Sequence, residues 1–339
     1  MSTLNVSNIA GPSSTGTAAV LSSVNGGPIS GARNRIINGA MAADQRNAGA
    51  AQTFTAAAAL AYSVDRWYGY CTGANVTGQR VQGASVGQFY YRFTGAASVT
   101  AIGFGQRIEQ INSADLASTT ATLSVDLANS LLTTVTWTAY YATTADTFGT
   151  LASPTRTQIA TGTFTVTSTV TRYNTQISVP AAATTGIEIV FTVGAQTSGT
   201  WTIGNVQLEP GTVATPFERR SYGQELALCQ RYFSKSFPVD TAPAQNIGGT
   251  GAVYSQSHAT NAPASVQVSF PVQMRTTPST FTTFNTSAAN GNWRNLTASS
   301  DITVAIQSTS ATGAFISSNT QVMAQYAIAA IHYSATSEL

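Results

Sequence analysis

The sequence predicts a mostly β chain: a jelly-roll or β-sandwich domain, a short connecting helix, and a second, smaller C-terminal β-sandwich. Three observations carry this prediction. Short apolar runs alternate with polar residues in period 2, as half-buried strands do. The outward positions are mostly Thr, whose β-branch suits a strand. Turn-forming residues separate the runs, and a single stretch departs into helical spacing.

Residues 1–33 are Ser-, Gly-, Thr- and Asn-rich. Leu4, Val6 and Ile9 form a weak strand pattern, punctuated by Gly11-Pro12 and Gly26-Gly27-Pro28. Alone such a segment is a loose arm, so a partner is expected to hold it, by addition of 4–9 to a sheet edge. Residues 34–220 read as one β-rich domain. Its clearest strands are Thr122–Leu127, Thr134–Tyr140, Thr163–Thr167, Gly186–Val193 and Gly199–Ile203. Many short strands with turns between them suit a two-sheet jelly roll.

Residues 221–243 read as connecting helix and linker. Ser221 and Gln224 have capping-box spacing. Tyr222, Leu226, Cys229 and Phe233 then recur at steps of 4, 3 and 4, one stripe of a helix. So short a helix is marginal alone. It must pack on a sheet, or on its own copies about a symmetry axis, which makes Leu226, Cys229 and Phe233 candidate contacts between protomers. Residues 244–339 return to strands, with Ser265–Phe270 and Ile302–Ile306 alternating and Ala324–Tyr333 as the expected central strand.

Composition narrows the function. The chain has 339 residues, which suits about two domains, and only 8 % of them are charged. Fifteen Lys+Arg against 13 Asp+Glu give +2, and Lys235 is the sole lysine. That is not the basic footprint of a nucleic-acid binder. No apolar run is long enough for a transmembrane helix, and the N-terminus lacks the pattern of a signal peptide. Cys71 and Cys229 make neither a zinc pattern nor a disulfide framework, so synthesis in a reducing cytoplasm is expected.

Catalytic supply is thin. Glycan hydrolysis ordinarily needs two carboxylates about 5–9.5 Å apart, and the acidic residues show no paired spacing. Asp65 beside Arg66 reads as a structural ion pair or turn anchor, and Glu209 and Glu218 as caps at a domain junction. His258 and His332 are isolated, and no hydrolase, zincin or phosphate-loop motif is present. No enzyme activity, cofactor or metal is expected.

Recognition of a sugar asks for aromatic rings against its C–H faces and amides or arginines against its hydroxyls. The groups Trp67-Tyr68-Gly69-Tyr70, Phe89-Tyr90-Tyr91-Arg92 and Trp137-Thr138-Ala139-Tyr140-Tyr141 contain these types. Adjacent tyrosines on a strand face opposite sides, so one of each pair should leave the core. The competing reading is that Trp67, Trp137 and Trp201 fill the sandwich. Trp293 lies in a loop-like context beside Gly291-Asn292 and Arg294-Asn295. With Arg294, Asn292, Asn290 and Tyr254 it makes the first candidate glycan contact, and Tyr68, Tyr70 and Tyr140 make the next.

Several strings are more specific. Asn34-Arg35-Ile36-Ile37-Asn38-Gly39-Ala40-Met41, followed by Asp44-Gln45-Arg46-Asn47-Ala48-Gly49, resembles the start of a group of bacteriophage tail proteins. Tyr62–Trp67, Gln106–Asn112 and Val206–Arg220 fit the same pattern, as does Tyr222–Phe233. The resemblance covers residues 34–233 well and the remainder loosely. It implies a virion tail or fibre protein with a jelly roll similar to a carbohydrate-binding module, usually as a homotrimer. It also implies attachment to other tail proteins through the N-terminal arm and a distal, receptor-facing domain at 244–339. The expected function is attachment to host surface glycans. The alternatives are a purely architectural tail, neck or capsid-decoration part and, third, a glycan depolymerase.

Overall fold

The computed structural model describes residues 33–57, 59–320 and 322–339, together with the backbone of two short paired strands, β1 (Ser23–Val24) and β2 (Gly27–Pro28). The attachment candidates Leu4, Val6 and Ile9 lie outside the described residues.

The first sandwich is built from β3 (Gln52–Phe54), β4 (Ala61–Tyr62), β5 (Tyr68–Thr72), β6 (Val76–Gln82), β7 (Phe89–Thr94), β8 (Ala101–Ile108), β9 (Thr120–Asn129), β10 (Thr134–Ala142), β11 (Arg156–Thr165), β12 (Thr171–Ser178), β13 (Ile187–Val193) and β14 (Thr200–Pro210). They form two antiparallel six-stranded sheets, ordered β11-β10-β13-β8-β5-β4 and β12-β9-β14-β7-β6-β3. Alternation decides what each sheet buries. Ile187, Ile189, Phe191 and Val193 of β13 point inward, as do Leu123, Val125 and Leu127 of β9. An aromatic column joins the sheets: Phe104 stacks on Trp67 at 4.9 Å and on Tyr91 at 4.8 Å, and Phe93 stacks on Trp201 at 5.3 Å. Trp67, Trp137 and Trp201 therefore do fill the sandwich, each at most 5 % exposed.

Chain reversal after β14 is tied by the two expected junction carboxylates. Glu209 accepts from Thr215 N at 2.9 Å and Thr215 Oγ1 at 2.6 Å, and Glu218 accepts from Asn34 N at 2.7 Å. Helix α1 (Tyr222–Gln230) follows. Ser221 is its N-cap residue, but its side chain makes no capping hydrogen bond. The helix is shorter than its apolar stripe suggests, because Phe233 opens a strand. Two of the candidate protomer contacts, Cys229 and Phe233, are already buried within their own chain. Cys229 is fully buried within its own chain, packed with Tyr232 against Ile37 and Ala43. Phe233 is 5 % exposed, with the Arg46 guanidinium 3.9 Å over its ring. Leu226 is half-buried, while Tyr222, the first residue of the expected stripe, is exposed. The helix thus solves its stability problem by packing on the loop that precedes β3.

The second, smaller sandwich comprises β15 (Phe233–Lys235), β16 (Val253–Gln256), β17 (Ser265–Ser269), β18 (Thr280–Phe284), β19 (Trp293–Asn295), β20 (Ser300–Ile302), β21 (Val304–Thr309), β22 (Gly313–Ser318) and β23 (Ile328–Thr336). Its first strand lies inside the segment read as linker. The central strand β23 pairs with β15, β16, β18 and β19, and the facing sheet is ordered β17-β22-β21. Trp293 sits between the sheets at 0 % exposure and donates Nε1–H to Ser317 O at 2.9 Å. The loop-like flanks are real, but β19 pairs with β20 and β23, and the side chain turns into the core. Trp293 is not an exposed contact.

The two sandwiches meet over a polar junction. Lys235 donates to Gln45 O at 2.7 Å, Val239 O at 3.1 Å and Thr241 O at 2.6 Å, using all three ammonium hydrogens. Residues 337–339 run back along the first sandwich. Glu338 pairs with Arg66 and, at 3.1 Å, with Arg46. The Leu339 carbonyl oxygen accepts from Arg107 at 2.7 Å and from Tyr62 at 2.9 Å. Asp65 and Arg66 do not pair with each other. Asp65 accepts from Gln45 Nε2 at 2.8 Å, anchoring a turn, and Arg66 serves Glu338.

Candidate functional site: a tyrosine face on the first sheet

The outer face of the β11–β4 sheet collects three of the sequence candidates. Tyr68 and Tyr70 are two apart on β5, so both point outward. Tyr68 pairs with Gly105 and Tyr70 with Gly103 on β8. Across β13, Tyr140 of β10 lies opposite Glu188. The missing side chains on β8 make this arrangement possible. A Cβ on Gly103 would come within 2.1 Å of the Tyr70 ring, and one on Gly105 within 2.5 Å of the Tyr68 hydroxyl. Each tyrosine therefore lies across the neighbouring strand instead of standing upright.

The three tyrosines differ in role. Tyr68 is buried and donates its hydroxyl to Glu188 Oε1 at 2.6 Å. Glu188, fully buried, is held by Arg107 at 2.9 Å and by Arg156. The Arg156 guanidinium also lies 4.0 Å over the Tyr140 ring. One carboxylate thus fixes Tyr68 directly and Tyr140 through Arg156. With both oxygens engaged, Glu188 is an organiser. Tyr70 is only half-buried, and burial raises its phenol above the ordinary range, so its O–H remains a donor at neutral pH.

Two depressions lie along this face. One, of about 590 Å³, is lined by Ala57, Ala59, Tyr70, Thr72 and the 150–152 loop. The other, of about 540 Å³, lies toward the far end, over Ala101, Thr134, Thr136 and Thr192. Small and hydroxyl-bearing side chains floor both. This combination presents ring surface for a sugar's C–H face and hydroxyls for its edges. Among the described residues no group of three His, Cys, Asp or Glu side chains could hold a metal ion.

The C-terminal candidates are placed otherwise. Tyr254 is 52 % exposed and donates to Gly249 O at 2.9 Å. Asn290 donates to Asp301 at 2.8 Å and Arg294 pairs with the same carboxylate at 3.1 Å, which together hold Asp301 below its ordinary range. Asn292 is half-buried and its backbone N–H is held by Asn290. These groups spend much of their hydrogen bonding on one another, with Trp293 buried beneath them.

Arg156, Glu188 and Gly103 were not legible as site residues. A signal existed for the last: two glycines interrupt the apolar run Ile102-Gly103-Phe104-Gly105, and a glycine inside a strand marks close approach of another group.

Comparison with protein families and with curated proteins finds no match. Among solved structures the chain is similar to a family 4 carbohydrate-binding module at 18 % identity, covering 51 % of this chain and 97 % of that one, with a TM-score of 0.33. It is also similar to the enzymatically active domain of tailspike protein 4 of bacteriophage CBA120, at 18 % identity over 52 % of this chain, with a TM-score of 0.32. The match spans about a fifth of the tailspike chain, 21 %. A third neighbour is the module TmCBM61, solved with β-1,4-galactotriose, at 13 % identity over 42 % of this chain and 88 % of that one, with a TM-score of 0.30. Likeness this distant carries no functional argument, and the jelly-roll assignment rests on the two six-stranded sheets themselves.

Proposed function

We propose that this chain is a bacteriophage virion protein, a tail fibre or spike component, whose jelly roll holds host surface glycan on the Tyr70–Tyr140 face. The virion reading is supported by the tail-protein strings at 34–49, 62–67, 106–112 and 206–233. The observation that carries glycan binding is the half-buried Tyr70 ring laid over Gly103, on the same face as the Arg156-backed Tyr140. In this reading the receptor contact moves from the second sandwich to the first, since Trp293 is core.

Binding is the whole of the activity in this proposal, without glycan cleavage. Three copies about a fibre axis would supply avidity for weak individual contacts. Residues 1–33 would join the particle to other tail proteins. The near-neutral surface suits a receptor probe, since long-range attraction is indiscriminate.

Polysaccharide purified from the host surface tests the reading. The Tyr70→Ala/Tyr140→Ala double variant should bind it about tenfold or more weakly, a loss of about 1.4 kcal/mol or more, with an unchanged melting temperature. Unchanged binding overturns the face assignment. A purely architectural part would bind no host glycan in either form, and release of reducing ends would point to a depolymerase.

A further inference from the structure

The opposite sheet of the same sandwich carries a groove of about 500 Å³ lined chiefly by Gln82, Gln88, Tyr90, Arg92, Asp126 and Arg172. It crosses the strands. Outward positions pair as Arg92 with Thr202, Gly204 with Asp126, and Asp126 with Arg172. Gly204 again makes room for a ring, since a Cβ there would come within 2.5 Å of Tyr90.

The hydrogen bonding in this groove is incomplete. Tyr90 Oη accepts from Gln88 at 2.6 Å and donates to Asp126 at 3.4 Å. Asp126 accepts from Arg172 Nη1 at 3.0 Å and from Asn205 Nδ2 at 2.7 Å, and Arg172 Nη1 also donates to Asn205 O at 2.8 Å. Two atoms of this cluster are buried without a partner: Arg172 Nη2, a donor, and Asn205 Oδ1, an acceptor, on a residue only 7 % exposed. Leaving a buried polar group unsatisfied is costly, and a half-satisfied network asks for a completing group. Of the two residues Arg172 lines the groove, and a sugar hydroxyl seated there can accept from its unused nitrogen.

Charge narrows the ligand. Arg92 is exposed at the rim, makes no ion pair among the described residues, and bonds only through Nε to Thr202 Oγ1 at 3.3 Å. Its two terminal nitrogens are open, and a guanidinium presents such nitrogens in the spacing of a carboxylate. Two arginines face one aspartate here, so one negative charge is welcome, while Asp126 in the floor disfavours a dense polyanion.

We infer that this groove is a second saccharide site, selective for a carboxylate-bearing sugar, with Arg92 taking the carboxylate and Tyr90, Asp126 and Arg172 taking ring hydroxyls. It stands on residues separate from the Tyr70–Tyr140 face and survives the failure of that reading.

Calorimetric titration of the full chain with galacturonate and glucuronate trisaccharides, against neutral galactotriose, tests it. At least one uronate trisaccharide should bind saturably, more tightly than galactotriose, and more weakly as salt is added. Arg92→Gln, a change on an exposed side chain, should weaken that binding about tenfold or more, whereas Tyr70→Ala/Tyr140→Ala should leave it unchanged. The inference is overturned if neither uronate binds below about 10 mM, if Arg92→Gln binds as the wild type does, or if the tyrosine variant abolishes the binding.

Discussion

Replacing Glu338 with alanine removes the anion shared by two guanidiniums at the seam between the sandwiches. Arg66 is the exposed party in neither sense: its side chain is 1 % accessible, and that of Glu338 is 4 %. Arg66 is also pinned, donating Nη2 to Arg107 O at 2.5 Å and lying 3.4 Å over the Tyr232 ring. It has no route to water once its partner is gone. Arg46, which reaches the other carboxylate oxygen at 3.1 Å, is 16 % accessible and can re-solvate. The cost therefore comes mainly from Arg66 and should be about 3–5 kcal/mol, the range for stranding one member of a buried pair. Urea unfolding followed by tryptophan fluorescence reads it as a shift in midpoint at unchanged slope. The double variant Arg66→Met/Glu338→Leu separates pairing from packing. Removing both charges should restore most of the loss, because the pair itself has little net worth over an apolar replacement. A loss below about 1 kcal/mol for Glu338→Ala, the range of an exposed pair, would refute the reasoning and mean that water already reaches the guanidinium.

Three further outcomes are expected. Trp293→Ala should cost about 3–5 kcal/mol through the cavity it leaves, lowering the melting temperature of the second sandwich without touching glycan binding. Gly103→Ala should dislodge the Tyr70 ring and reduce glycan binding in a direct assay, although the substituted residue itself need not touch sugar. Asp65, buried and pushed up to about 6 by desolvation, holds its proton more tightly folded than unfolded. Its contribution to stability is thus present at low pH and lost as pH rises from about 4 to 6. Measured against Asp65→Asn, wild-type stability should fall by roughly 2–3 kcal/mol across that window, and a flat difference would contradict the burial argument.

The strands of the first sandwich were legible because each sheet buries one face, which writes period 2 directly into the residues. The central strand β23 was legible for a related reason, a long apolar run late in the chain. Where the sequence misled, a distant partner had intervened. Phe233 continues a helical stripe, yet it pairs with Thr336 across the second sandwich and ends the helix early. Trp293 has turn residues on one side, but two β pairings carry it into a core that local composition does not reveal. The tyrosine types were visible, while their convergence depended on the register of β5, β8, β13 and β10. Arg156 lies on another strand and meets Glu188 and Tyr140 only after folding. The tie between Glu338 and Arg66 joins residues 272 apart in the chain, and no local pattern announces it.

The most direct test of the central claim is a crystal structure of the chain soaked with oligosaccharide released from the host surface. The account predicts sugar density on the outer face of the first sheet, with a pyranose ring against Tyr70 and a neighbouring unit toward Tyr140 and Arg156. Density confined to the Tyr254–Arg294 surface of the second sandwich, or a bare tyrosine face at saturating oligosaccharide, would contradict it.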